Sequence, residues 1–184
     1  MATKVGARFV STLAAVSLLS GFAAVSRAHA VPQCDPSVPA TCTLREVANL
    51  AGMRIGATLE PSEIASVPYS TTLATHFNAL TPENALKLYT IEPQLGQWDF
   101  GPADAVVDFA EANYMAVRGH TLVWAQDVFT PTWTKAITDP TQLRTIVQEY
   151  IAAVMGRYAG RIHRYDVVNE PLQTLGTGAS CLIQ

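Results

Sequence analysis

Strand-like apolar runs alternate with helical patterns over most of this chain, and this alternation restricts the fold more than any single residue does. The runs that predict strands span residues 53–59, 77–80, 115–123 and 162–169. The helical patterns between them span residues 69–76, 103–113 and 140–158. Because the connections are too long for hairpins and contain helices, the strands are predicted to be parallel. The sequence therefore predicts an α/β fold, of which an eight-stranded barrel is the larger instance.

The strongest local prediction is a helix over residues 140–158. Asp139 suits the N-cap, Pro140 suits the first helical position, and Gln142 would complete a capping box. Apolar residues then recur at helical spacing, at Leu143, Ile146, Val147, Tyr150, Ile151, Val154, Met155 and Tyr158. Gly160 ends the pattern. One face of this helix is therefore predicted to be wholly apolar.

The first thirty residues have the pattern of a secretory signal peptide. Lys4 and Arg8 precede an apolar run over residues 9–25, and Ala28-His29-Ala30 provides a cleavage site of small residues. The alternative is an N-terminal membrane anchor, but the run is interrupted by serines and is at the short limit for about 30 Å of hydrocarbon. We therefore expect cleavage, secretion to the extracellular space and no membrane association of the mature chain.

Length and charge limit what the mature chain can be. Removing residues 1–30 from the 184-residue chain leaves 154, well below the ~250 typical of a complete eight-stranded barrel. Without the three basic residues of the leader, nine Lys and Arg stand against 15 Asp and Glu, a formal charge of −6. A chain this acidic, without a basic cluster, is not expected to bind nucleic acid. An uncharged substrate is compatible with this charge.

The cysteine positions allow one disulfide, and the cysteine and histidine positions together do not suggest a metal site. Cys34 and Cys42 lie eight residues apart in the proline-containing segment 31–43, and in an oxidising compartment they could form a disulfide. Cys181 is left over. The histidines, at positions 29, 76, 120 and 163, are scattered, and no Cys/His set has zinc-ligand spacing. We therefore predict neither a metal site nor a cofactor.

Three of the predicted strands end in polar or aromatic side chains that suit a catalytic site. In chain order these are Glu83 and Asn84, then His120 and Trp124, then Asn169 and Glu170. In a parallel barrel the reacting groups lie at the C-terminal ends of strands. Each residue also has an ordinary interpretation, such as a solvated loop glutamate or a hydrogen-bonded core histidine. Convergence of three strand ends on one rim favours a site, with Glu170 as the candidate catalyst.

A short helix is predicted to follow the second strand, over residues 82–89. Pro82 suits a first helical turn, and Glu83 and Lys87, four residues apart, would share one helical face. The ordinary interpretation of this pair is a surface ion pair. Beside a pocket, the same two side chains and Asn84 could hold sugar hydroxyls.

Three segments together resemble glycoside hydrolase family 10, the endo-1,4-β-xylanases. They are FNALTPENALK at 77–87, RGHTLVW at 118–124 and YDVVNE at 165–170. The resemblance covers about residues 44–172. It implies a TIM (β/α)₈ barrel of which this chain holds about the first four βα units. It also implies an enzyme that cuts xylan internally with retention of configuration.

The resemblance implies roles for individual residues. Glu170 matches the general acid/base, which protonates the departing glycosidic oxygen and later activates water. Asn169 matches the amide that holds the sugar 2-hydroxyl. Contacts to the sugar on the non-reducing side of the cleaved bond are implied for Glu83, Asn84 and Lys87, with His120 and Trp124 as further lining. The implied partner is xylan or a xylo-oligosaccharide.

The chain also departs from the family. A retaining glycosidase needs two carboxylates about 5–5.5 Å apart. In the family the second carboxylate, the nucleophile, comes from a later strand. In this sequence no Asp or Glu follows Glu170. Glu83 is not assumed to replace it, so this chain alone is expected to be inactive or nearly so. The family usually has His and Gln where this sequence has Ala125 and Asp127, and the loop at 128–133 is expected to be longer by a residue.

Three interpretations follow from these observations. In the first, the chain is the N-terminal half of a secreted xylanase whose remainder is missing. In the second, it is a half-barrel that is inactive or binds xylan weakly. In the third, it is part of a related retaining β-glycosidase with another substrate preference. Residues 173–184 have no periodic pattern and predict an irregular tail.

Overall fold

A computed structural model describes residues 34–35, 37–174 and 180–182. The predicted signal peptide, residues 1–30, lies outside the described residues. The helices are α1 Leu44–Leu50, α2 Val67–His76, α3 Leu88–Ile91, α4 Gly101–Ala112 and α5 Pro140–Arg157. The strands are β1 Gly56–Leu59, β2 Ala79–Pro82, β3 Ala116–Gly119, β4 Val123–Trp124, β5 Ile162–Tyr165, β6 Val168–Asn169, β7 Leu172–Thr174 and β8 Ser180–Leu182.

Four strands form one parallel sheet in the order β1-β2-β3-β5. In the register of the sheet, Leu59 lies opposite Pro82, Leu80 opposite Val117, and Gly119 opposite Tyr165. Beyond this sheet, β4 and β6 continue the paths of β3 and β5 as a second parallel pair. The predicted α/β fold with a parallel sheet is confirmed.

The core lies between one face of the sheet and the helices. On this face Leu59, Leu80, Val117 and Ile162 are at most 7% exposed. The helices bury Leu73, Val106, Val107, Ala110, Tyr150 and Val154 in the same cluster. Burial of each leucine, isoleucine or valine side chain in this cluster contributes about 1.5–3 kcal/mol relative to exposure. This packing holds the strands side by side, so that their C-terminal ends reach the same rim.

The opposite face of the sheet borders an open cavity of about 680 Å³. Thr58 and Thr81 lie opposite each other on this face, as do Arg118 and Arg164. All four side chains line the cavity. This face therefore combines basic and polar side chains with small apolar ones such as Ala79 and Ala116, in contrast to the apolar face beneath the helices.

The expectation of a helix over residues 82–89 is wrong. Pro82 is the last residue of β2, where it pairs in register with Leu59. A turn follows, in which the Lys87 amide donates to the Asn84 carbonyl at 3.0 Å. The helix α3 begins only at Leu88. Pairing with β1 outweighs the local preference of Pro82 for a helical start, and Glu83 and Lys87 consequently do not share a helical face.

Two predicted strands are interrupted. Run 115–123 divides into β3 and β4, and run 162–169 divides into β5 and β6. At the break the Asp166 amide donates to the Gly119 carbonyl at 2.9 Å, and the Leu122 amide donates to the Asp166 carbonyl at 3.0 Å. The two strand segments therefore bend together, and they remain paired beyond the bend as β4 and β6.

Helix α5 occurs where it was predicted, with differences in its cap and in the burial of its apolar face. Asp139 caps it by accepting from the Thr141 amide at 2.9 Å, rather than through a capping box with Gln142. On the predicted apolar face Tyr150, Val154 and Tyr158 are buried, whereas Leu143 is 39% exposed and Met155 45% exposed. The predicted face is therefore buried over only part of its length.

The chain ends differ from the expectation of irregular structure after residue 172. Strands β7 and β8 form an antiparallel pair, which a sequence without periodicity did not indicate.

Near the start of the described residues, Cys34 and Cys42 are joined in a disulfide. Within the described part of the chain, none of the helices combines the length and apolarity required to cross a bilayer.

Candidate active site

The C-terminal ends of the paired strands bring the predicted polar residues to one rim. Glu170 follows β6, and the register of β4 with β6 places Trp124 opposite Asn169. Trp124 Nε1 donates to Glu170 Oε2 at 2.8 Å. Gln126 Nε2 donates to the same oxygen at 3.2 Å. One carboxylate oxygen of Glu170 is thus fixed by two donors, and the exposed carboxylate keeps its other oxygen available to a ligand.

The backbone at Glu170 is unusual. Its φ of +48° lies in the left-handed region, which a residue other than glycine seldom occupies. Such a conformation persists only where the surroundings impose it, and it is concentrated at functional sites. The two hydrogen bonds from Trp124 and Gln126 are part of what holds Glu170 in place.

Lys87 lies beside the indole of Trp124. Its side chain is almost wholly buried, with 7% of the residue exposed. The ammonium lies 4.8 Å from the ring centroid of Trp124 and 4.6 Å from that of Phe129. These two rings stack with centroids 4.4 Å apart. Burial lowers the pKa of Lys87, and the carboxylates of Glu83 and Glu60 oppose that lowering.

Asn84 links Lys87 to the end of β1. Lys87 Nζ donates to Asn84 Oδ1 at 2.7 Å, and Asn84 Nδ2 donates to Glu60 Oε1. Glu83, in contrast, is exposed in the turn after β2 and makes no side-chain hydrogen bond among the described residues. Glu83 therefore acts on the site through its charge, not through a contact on a shared helical face.

His120 also lies near Trp124, with the ring centroids 6.5 Å apart. Its Nδ1 is 2.8 Å from Asp166 Oδ2, and Arg118 Nη2 donates to Asp166 Oδ1 at 2.9 Å. Burial raises the pKa of Asp166, but the hydrogen bonds from Arg118 and His120 outweigh it, and the pKa is lowered. The bond at Nδ1 orients the imidazole and leaves Nε2 for a ligand.

Four residues of this rim were not identified from the sequence: Glu60, Gln126, Phe129 and Asp166. Glu60 had the same signal as Glu83 and Glu170, since it directly follows an apolar strand. Asp166 was marked by its position as a polar residue inside an apolar run. The contacts of Gln126 and Phe129 depend on the path of the loop after β4, for which the sequence carries no signal.

The arrangement can bind an uncharged polyhydroxy ligand and transfer a proton to it. Carboxylate, ammonium, amide and imidazole groups lie around an indole that offers an apolar face. The described residues contain no cluster of His, Cys, Asp and Glu that could hold a metal ion.

Comparison with known proteins places the chain in a family. Residues 43–181 match Glycosyl hydrolase family 10. A beta-1,4-xylanase from Dictyoglomus thermophilum is 48% identical over 104 residues, which is 56% of this chain and 29% of that protein. Endo-1,4-beta-xylanase 2 from Claviceps purpurea is 42% identical over 105 residues, 57% of this chain and 32% of that protein.

The solved structures agree. Xylanase 10B from Thermotoga petrophila RKU-1, determined in complex with xylobiose, superimposes with a TM-score of 0.69 at 34% identity. The match covers 75% of this chain and 43% of that one. This chain thus spans about a third of the relatives it matches in sequence and about two-fifths of the solved structure, and its fold is part of a (β/α)₈ barrel. The chain belongs to glycosyl hydrolase family 10.

Proposed function

We propose that the protein supplies the acid/base half of a secreted, retaining endo-1,4-β-xylanase that hydrolyses internal β-1,4-xylosidic bonds of xylan. The observation that carries the proposal is the position of Glu170, held by Trp124 and Gln126 at the rim where Lys87 and Asn84 also lie. The names of the relatives, which are xylanases, support xylan as the substrate.

Glu170 would act twice in this reaction. As an acid it protonates the glycosidic oxygen while the bond to the sugar breaks, and as a base it then takes a proton from the water that attacks the glycosyl-enzyme intermediate. Fixing Oε2 through Trp124 and Gln126 leaves Oε1 to carry the proton. The nucleophile, a second carboxylate about 5–5.5 Å away, would come from another part of a complete barrel.

The remaining residues would hold the sugar on the non-reducing side of the cleaved bond. Asn169, which lies in register with Trp124, would bind the 2-hydroxyl beside the reacting carbon. Lys87 and Asn84 would bind hydroxyls further along the chain. His120 and Glu83 would complete the polar lining around the indole.

The acid role of Glu170 is tested by the choice of leaving group. In a complete barrel that contains this half, Glu170→Ala should slow glycosides with poor leaving groups by about 10²–10⁴-fold. For aryl glycosides whose leaving group needs no protonation, the rate of the first step should fall much less. Glu149→Ala, which removes an exposed carboxylate on α5, is the matched control. Equal losses for both classes of substrate would exclude Glu170 as the acid.

A second candidate is a product that binds xylan without cleaving it. None of the 14 residues after Glu170 in this sequence is an Asp or Glu that could serve as the nucleophile. On this ground the purified 184-residue chain is expected to show little or no xylan hydrolysis. Robust hydrolysis by that chain would overturn the assignment of the nucleophile to another part of the barrel.

Substrate class and secretion are separate parts of the proposal. Parallel assays on xylan and cellulose, again in a complete barrel, distinguish a xylanase from a related β-glycosidase with another preference.

Mass spectrometry of the protein recovered from culture medium should find a mature N-terminus near residue 31. A chain retained in the cell with its leader intact would contradict secretion.

A further inference from the structure

One side chain in the corner formed by Glu60, Asn84 and Lys87 has no role in the proposed reaction. Glu60 directly follows β1, and its Oε1 accepts a hydrogen bond from Asn84 Nδ2. Asn84 Oδ1 accepts from Lys87 Nζ at 2.7 Å. Three side chains from the ends of two neighbouring strands therefore form one hydrogen-bonded chain.

The two partners of Asn84 fix the orientation of its amide. An ionised carboxylate only accepts hydrogen bonds, and a lysine ammonium only donates them. The Nδ2 atom must therefore face Glu60 while Oδ1 faces Lys87. Reversing the amide would set two acceptors against each other and two donors against each other, with loss of both bonds.

The fixed amide leaves hydrogen-bond donors for a ligand. Lys87 keeps two of its three N–H groups, and Asn84 keeps one of its two. The Lys87 ammonium cannot swing away freely, because it lies within 5 Å of the ring centroids of both Trp124 and Phe129. The corner consequently offers donors at fixed positions to the oxygen atoms of a ligand.

We propose that Glu60 is a positioning residue that makes Asn84 and Lys87 a fixed pair of hydrogen-bond donors for sugar hydroxyl oxygens. The inference rests on the proposed function, because it takes a xylo-oligosaccharide as the ligand. In this role Glu60 acts through Asn84 rather than on the sugar. Its negative charge also favours the charged form of Lys87, since Glu60 is one of the two carboxylates that oppose the lowering of the Lys87 pKa by burial.

Two variants separate the charge of Glu60 from its hydrogen bond. Glu60→Gln keeps an oxygen that can accept from Asn84 but removes the charge, whereas Glu60→Ala removes both. Glu149→Gln, at an exposed glutamate on α5, is the matched control for loss of one negative charge.

The first measurement is the titration of Lys87 by ¹³C NMR of labelled lysine. The sequence contains three lysines, Lys4, Lys87 and Lys135, so the resonances are easily assigned. The pKa of Lys87 should shift downward in both Glu60 variants and stay unchanged in the Glu149 control. A merely structural role of Glu60 in the turn after β1 would not produce the same shift in the glutamine variant.

The second measurement is the affinity for xylotriose by titration calorimetry on the same proteins. We expect a loss of about five- to tenfold in Glu60→Ala, the size of one hydrogen bond, and a smaller loss in Glu60→Gln. An unchanged Lys87 titration in both variants, or unchanged affinity in Glu60→Ala, would overturn the inference. If Glu60→Ala does not fold, the glutamine variant still decides through the Lys87 titration.

Failure of the proposed function gives a different result. A folded wild-type chain that does not bind xylotriose would overturn the sugar as ligand. The Lys87 titration would then still show, without any sugar, whether Glu60 acts on the Asn84 and Lys87 pair.

Discussion

Asp166 is the residue on which two side chains of the site, Arg118 and His120, converge. The side chain of Arg118 is 63% exposed and that of Asp166 24%, while the imidazole of His120 is bound to the other carboxylate oxygen. Because the folded state lowers the pKa of Asp166, its contribution to stability is present above the unfolded value of about 3.9. That contribution is lost as the pH falls through the folded pKa.

Asp166→Asn should therefore lower the free energy of unfolding at pH 7 by about 1 kcal/mol. The difference from wild type should shrink as the pH falls below about 4, because the wild-type carboxylate is then protonated. Urea denaturation at a series of pH values measures it. Asp108→Asn, which removes an exposed partner of Arg161, should have a smaller effect. An equal loss at pH 7 and at pH 3 would contradict this account of Asp166.

The sequence identifies residues of the site that depend on strand ends alone. Glu170, Trp124 and Asn84 are found in this way, because parallel strands must bring their ends to one rim. Their partners are harder to predict. Gln126, in the loop after β4, donates to Glu170, and the path of a loop is set by tertiary contacts that leave no periodic pattern.

At the scale of elements, β3 and β5 approach closely at Gly119. A Cβ atom there would lie 2.3 Å from the ring of Tyr165, which is paired with Gly119 in register. The ring fills the space that any larger residue would need. This contact fixes the spacing of the two strands just before the chain turns towards His120.

Gly119→Ala should destabilise the fold by about 1–3 kcal/mol, because the ring or a strand must shift. Gly156→Ala is the matched control in α5, where an added Cβ meets nothing within 4 Å and should stabilise by up to about 1 kcal/mol. Thermal unfolding of both variants measures the difference. Combining Gly119→Ala with Tyr165→Ala should cost less than the sum of the two changes. Full additivity would show that the ring is not the obstacle.

Elements with a long, uninterrupted pattern are predicted well, and those set by pairing are not. Helix α5 follows from its apolar repeat and its cap at Asp139. In contrast, Pro82 joins β2 because it pairs with Leu59, and no local signal distinguishes that outcome from a helical start. The break at Asp166 likewise arises from hydrogen bonds between two chain segments.

At the scale of the whole molecule, the described sheet has two edges, β1 and β5, and one open face. That face is lined by basic, polar and small apolar side chains, and beyond β5 the exposed residues include Val167 and Val168. Unpaired edges of a sheet are templates for pairing with another chain.

The isolated chain is therefore expected to self-associate as its concentration rises. Sedimentation velocity over a hundredfold concentration range should show the average mass increasing. Val168→Lys, which places a charge beside the exposed edge, should reduce the association without affecting the core. A single monomeric species at every concentration would show that the edges and the open face are protected.

The central claim is that polar side chains from separate strand ends form one sugar-binding site. Calorimetric titration of the folded chain with xylotriose tests it most directly, with circular dichroism to confirm folding of each variant. The account predicts saturable binding that is lost in Lys87→Ala and retained in Glu149→Ala. Folded wild-type protein that shows no saturable binding, or binding that is equally strong in Lys87→Ala, would contradict it.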